Sequence, residues 1–273
     1  MARGSEPVGA VLIVFIVLTG ALAPWLTGFD AEQMDMENRL AGPSARHWLG
    51  TDNFGRDLWT RVALGARISL GIALASVGSA LVVGTIVGLI SGYFGGFLDL
   101  LLMRLVDLFL GFPPLILMMA VVAALGPGPA KVAVALVAAF WTEYARLVRA
   151  VTLSERQKEH VLAARALGAG RARILFRHIL PATLGPILVL ATLSIGTAVV
   201  AESGLSFLGF GVPPPAPSWG WTLAYGMRFL RTNMWLSTVP GLFILTTVMG
   251  FNLLGEGLRD RLYPLPQISG GNR

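Results

Sequence analysis

Few side chains in this 273-residue chain are of types that do chemistry, and their spacing argues against most of it. His47, His160 and His178 stand far apart without the spacing of metal ligands. No cysteine occurs, which excludes disulfide frameworks, thiolate metal sites and Cys nucleophiles. Neither a nucleophile elbow nor a Walker-type phosphate loop can be found. The expectation is a chain with no catalytic residue and no bound metal or cofactor of its own. If it takes part in ATP-driven work, the ATP and its Mg are held by another subunit. What remain are charges in unusual places and one basic, patterned segment. That segment, residues 159–181, reads EHVLAARALGAGRARILFRHILP. Val161, Leu162, Leu167, Ile174, Leu175 and Ile179 alternate with Arg165, Arg171, Arg173 and Arg177, and Gly168 with Gly170 divides it into two short helices. It cannot cross a bilayer and is too patterned for a slack linker, so it is expected to dock a soluble partner.

The elements that must position these residues follow from composition. With 55% hydrophobic and 13% charged residues and a mean hydropathy of +0.70, the chain is an integral membrane protein. A hydrocarbon core about 30 Å thick takes roughly 20 apolar residues as a helix. Six windows are expected to span it: residues 7–29, 68–98, 108–130 with a start upstream near Leu98, 132–154, 181–201 and 233–255. Pro113 and Pro114 should kink the third. Glu143, Arg146 and Arg149 make the fourth the weakest. The first window is expected to be retained, because Glu6 sits where a cleaved signal peptide would be basic. Gly71, Gly78, Gly84, Gly88 and Gly92 suit close helix packing.

Six spans put both termini on one side. With cytoplasmic termini, thirteen of the 21 Lys and Arg fall in inside segments and eight outside. This bias places residues 159–181 in the cytoplasm of a multi-pass plasma (inner) membrane protein. It also explains the net charge of +6 without nucleic-acid binding. Outside lie an acidic loop, residues 30–67, and a Pro- and Trp-rich loop, residues 203–234. The first contains HWLGTDNFGRD, in which Gly50 and Gly55 permit tight turns and Asp52, Arg56 and Asp57 can form a charge network. The second contains GLSFLGFGVPPPAPSWGW, with Pro213 and Trp219. Each is either a folded cap or a receiver for an external protein.

An unpaired ion in lipid costs roughly 2.5 kcal/mol or more, so charges within spans face protein or water. Arg104 and Asp107 are spaced to pair on one face, either as an interfacial ion pair or as lining of a path. Glu143, Arg146 and Arg149 share a face suited to the bundle interior or a subunit interface. Glu202 is a boundary charge or part of an external gate. Met103, Met118 and Met119 on the third span are read as flexible apolar packing.

The chain resembles the inner-membrane permeases of the dipeptide, oligopeptide and nickel group of ABC importers. The resemblance covers roughly residues 47–264. It rests on HWLGTDNFGRD, GARISL, SGYFGGFLDLLLMRLVDLFLGFP, YARLVR, LGAGRARILFRHILP, LSFLGFGVPPPAPSWG and FNLLGEGLRDRLYP, in that order. It implies an all-α, six-span type I importer permease fold. Residues 1–67 would hold the first span and external loop, 68–264 the transmembrane domain, and 265–273 a tail. Residues 159–181 would be the coupling segment in a cleft of the ATPase, with Glu159, Leu162, Ala163, Ala164, Gly168, Arg173, His178, Leu180 and Pro181 as its residues. Leu162 stands where the family usually has Glu, a trait also met in the nickel branch. The implied partners are a second permease, two ATPase subunits and an external binding protein lying over Gly50, Asp52, Arg56, Asp57, Pro213 and Trp219. The implied cargo is a small peptide, with a nickel or other metal chelate as the alternative. A redox-enzyme anchor or a self-sufficient channel would need intramembrane histidines or an internal repeat, and neither is visible.

Overall fold

The computed structural model describes residues 5–263, and among them helices account for all extended regular structure. The expected tail, residues 265–273, and the tallied Arg3 and Arg273 lie outside the described residues. Ten α-helices follow one another: α1 (Ser5–Leu26), α2 (Leu58–Phe94), α3 (Gly96–Leu110), α4 (Pro114–Leu125), α5 (Pro129–Glu155), α6 (Glu159–Ala166), α7 (Arg171–Ile174), α8 (Leu180–Phe207), α9 (Trp219–Met227) and α10 (Trp235–Leu262).

Among the described residues four helices are long and apolar enough to cross a membrane: α1, α2, α10, and α8 counted together with the turns that lead into it. The pair α3–α4 makes a fifth candidate, but its two halves meet at 91°. The expected kink is therefore a break. Pro113 and Pro114 supply no backbone donors, and a proline ring clashes with the preceding turn. α5 is the sixth element. Its 27 residues reach about 40 Å, but its charges keep it from qualifying on apolarity.

α2 starts at Leu58, ten residues before the apolar window suggested, so the anticipated division at 67/68 falls inside a helix. Asp57 caps it by accepting from the Thr60 amide and hydroxyl at 2.8 Å. Gly95 and Gly96, at φ 67° and 58°, then turn the chain into α3.

The most extensive helix interface joins α2 to α5. A Cβ on Gly84 would lie 2.4 Å from the Trp141 carbonyl, and one on Gly88 would lie 2.6 Å from that of Ala145. Gly92 meets Thr152 in the same way, whereas Gly71 and Gly78 face open space and do not serve this contact. α1 lies along α10, where Gly9 passes against the Gly250 backbone and Glu6 pairs with Arg261. That ion pair sets both described chain ends at the end of the bundle that carries α6. Met118 is buried in the main core, with Met103 and Met119 packed against it, as expected of gap-filling side chains.

Candidate functional site

Residues 159–181 fold into a helix, a sharp corner and a re-entry. Glu159 occupies the first turn of α6 and Arg165 the last, each favourable to the helix dipole. Gly168, at φ 82°, closes the helix. The Gly168 amide donates to Arg165 O and the Ala169 amide to Ala164 O, both at 3.0 Å, a Schellman termination that glycine favours. The expected second short helix is not separate. α7 passes through a π-helical turn, Leu175–Ile179, directly into α8.

Val161, Ile174 and Ile179 are fully buried, packed with Leu89 of α2, Val148 of α5 and Ile187 of α8. Leu162, Leu167 and Phe176 point outward, Leu167 being 89% exposed. The alternating pattern thus divides into an anchoring set and a free apolar set. Glu159, Ala163, Gly168, Arg173 and Pro181 are exposed, and Ala164, His178 and Leu180 are half-buried. His160 and His178, 18 positions apart in sequence, approach to 6.0 Å between ring centroids. A cavity of about 700 Å³ beside this corner is lined by Tyr93, Phe94, Arg165 and Arg171.

At the opposite end, residues 27–57 and the chain between α8 and α10 fold over the bundle. Here the site residues read from sequence, Pro213 excepted, sit on the inside of the cap rather than its outer surface. Gly50, Asp52, Arg56 and Asp57 are all buried. Asp52 accepts from Arg56 Nε at 2.7 Å and from the amides of Phe54 and Arg56 at 2.8 and 3.0 Å. The guanidinium of Arg61, 1% exposed, lies 3.7 Å from the same carboxylate and donates to the carbonyls of Ala31 and Pro215. Asp57 meets His47 Nδ1 at 2.9 Å while capping α2. Trp219 is wholly buried in the core, its indole donating to Val62 O at 2.9 Å, so it is neither an interfacial anchor nor an exposed contact. Pro213 remains exposed. The sequence reading missed Arg61 and the His47–Asp57 contact. A DLWT start with Asp as cap and Thr three residues on was the available signal, because it extends the helix back through Arg61.

Glu202 is not a boundary charge. It is completely buried, accepting from Ser69 of α2 at 2.9 Å and from Ser206 at 2.8 Å, with Ser203 at 3.4 Å. Three hydroxyl donors replace the cation it lacks among the described residues, and they tie α8 to α2.

On the flank formed by α3 and α5 the anticipated Arg104–Asp107 pair does not form. Asp107 instead takes Arg146 at 2.7 Å, and Asp99 takes Arg149 at 2.6 and 2.7 Å in a two-pronged pair. Arg104 and Glu143 are exposed, and neither has an ion-pair partner among the described residues. No group of three or more His, Asp or Glu able to hold a metal occurs among the described residues.

The family described as "Binding-protein-dependent transport system inner membrane component" matches residues 84–265. The chain belongs to it. Among curated relatives, the dipeptide transport system permease protein DppC of Alkalihalophilus pseudofirmus is 43% identical over 94% of this chain and 84% of its own length. The oligopeptide transport system permease protein OppC of Bacillus subtilis is 40% identical over 94% and 84%. The nickel transport system permease protein NikC of Escherichia coli is 38% identical over 96% and 95%. An amino acid ABC transporter crystal structure superposes with a TM-score of 0.58 over 74% of this chain and 94% of that one, at 15% identity. That likeness bears on fold alone, and it bears out the importer permease architecture. The family match begins at Gly84, so in this permease α1, the 27–57 part of the cap and the larger part of α2 precede the family's shared region. The match does include the outward face of α6, the α3–α5 flank and Glu202.

Proposed function

We propose that this permease subunit, together with a second permease, forms the path by which an ATP-driven importer carries a small peptide across the inner membrane. α6 is its contact with the ATPase. The observation that carries this reading is the division of residues 159–181 into buried anchors on α2, α5 and α8 and an exposed apolar set at Leu162, Leu167 and Phe176. A segment whose buried residues pack on three long helices moves with them, and exposed apolar residues at one corner suit a partner's cleft. On this reading two ATPase subunits bind ATP and Mg, and their closure on nucleotide pushes α6 and rocks the paired permeases between outward and inward openings.

The Lys and Arg bias supports a cytoplasmic position for α6 and for both termini. The cap then faces the external binding protein. Asp52, Arg56, Asp57 and Trp219 hold that cap in shape from within, and exposed groups such as Pro213 offer the surface. Peptide cargo follows the names of the dipeptide and oligopeptide relatives, and a nickel chelate is the second reading, supported by the nickel relative and by Leu162 in place of Glu.

Reconstitution tests this. Proteoliposomes holding both permeases, the ATPases and the cognate binding protein should take up a dipeptide only with ATP, and omission of any component should abolish uptake. Transport by this chain alone would overturn the reading.

A further inference from the structure

The flank of α3 and α5 contains a charge that nothing in the fold satisfies. Glu143 stands 14 residues from Pro129 and 12 from Glu155, the two ends of α5, so it lies about 20 Å from either end by helical rise. It is exposed, and no cation pairs with it among the described residues. Nearer α6, Asp107 takes Arg146 and Asp99 takes Arg149. Arg104, three residues before Asp107 and exposed like it, is also unmatched, but it stands among the exposed Leu100, Leu101, Leu105 and Leu108 of α3. An unpaired Glu143 is costly against lipid, so its part of the flank faces water or protein. The opposite face of α5 is used up against α2 by the contacts at Gly84, Gly88 and Gly92.

We infer that Glu143 lines the aqueous path and receives the ammonium group of a zwitterionic cargo. This rests on the reading of the chain as half of a peptide path. Short peptides with a free N-terminus share its ammonium group whatever their side chains, so one fixed, unmatched carboxylate recognises the class without selecting side chains. Weak recognition of this kind suits a path, where tight binding would halt release.

Because the chain has no cysteine, Glu143→Cys gives it a single thiol. In the complete complex in nanodiscs, a membrane-impermeant cationic methanethiosulfonate should label that thiol, and the labelling rate should change when ATP and vanadate are added. Glu143→Gln should lower the maximal rate of dipeptide uptake about tenfold, leaving half-saturation by loaded binding protein and the ATPase rate near wild type, while Glu143→Asp should recover most of the uptake. A thiol that stays unlabelled, or that cross-links to the second permease, would place Glu143 in the subunit interface and overturn the inference. So would unchanged uptake by Glu143→Gln. Failure of the broader reading is distinct, because the wild-type complex would then take up nothing.

Discussion

Replacing Leu167 by Asp is expected to abolish import while leaving the chain inserted and folded. Leu167 is 89% exposed and touches little of its own chain, so its loss costs the fold almost nothing. As the most exposed apolar side chain of the α6 corner it should be a centre of the ATPase contact. Residues that anchor an interface cost about 2 kcal/mol or more when removed, which is roughly a thirtyfold loss of affinity. A carboxylate that must be desolvated in the cleft adds to that. Uptake and binding-protein-stimulated ATP hydrolysis should fall together, since both need force to pass through α6. Leu175→Asp is the less informative change, because Leu175 packs against the buried anchors and its replacement also disturbs folding. Retained stimulation and uptake in Leu167→Asp would count against docking at this corner.

The second large effect lies at the other end of the molecule. Asp52→Ala is expected to destabilise the cap, because it removes the carboxylate shared by two buried guanidinium groups. Arg56 is 2% exposed and Arg61 is 1% exposed, and Arg61 would keep only backbone carbonyls as partners. Breaking a buried pair from one side costs about 3–5 kcal/mol, which in a chain of this size lowers the unfolding midpoint by about 10 °C. Asp52→Asn should fall between, as it keeps acceptor capacity but loses charge. Thermal unfolding in detergent checks this, with Glu37→Ala, an exposed carboxylate of the same loop, as the control. Equal midpoints for Asp52→Ala and the control would mean that the cluster does not support the cap.

Apolar runs made the spans legible, and a basic interruption with two glycines made the α6 corner legible, because both are properties of contiguous residues. Partners that come from distant parts of the chain were not. Asp107 has Arg104 within reach along its own helix, yet it pairs with Arg146, 39 positions away, across to α5. Glu202 sits near the end of an apolar run and reads as a boundary charge. Only folding brings Ser69, 133 positions away, to its carboxyl. Trp219 has the composition of an interfacial anchor, and its burial depends on α9 turning back onto α2. The start of α2 was hidden because Asp57, Thr60 and Arg61 are polar by type and become interior only once the cap closes over them. In the same way the apolar residues of residues 159–181 were recognisable as a set. Which of them anchor and which remain free depends on how α6, α7 and the π-helical turn pack against α2, α5 and α8.

The central claim is that force enters this permease through the exposed corner of α6, and a single thiol at Leu167 tests it most directly. In an otherwise cysteine-free chain, Leu167→Cys should form a disulfide with a cysteine placed in the cleft of the ATPase subunit. The bond should form in the assembled complex, and its reduction should restore uptake. A thiol that remains fully open to a bulky soluble maleimide in the assembled, ATP-hydrolysing complex would contradict the account.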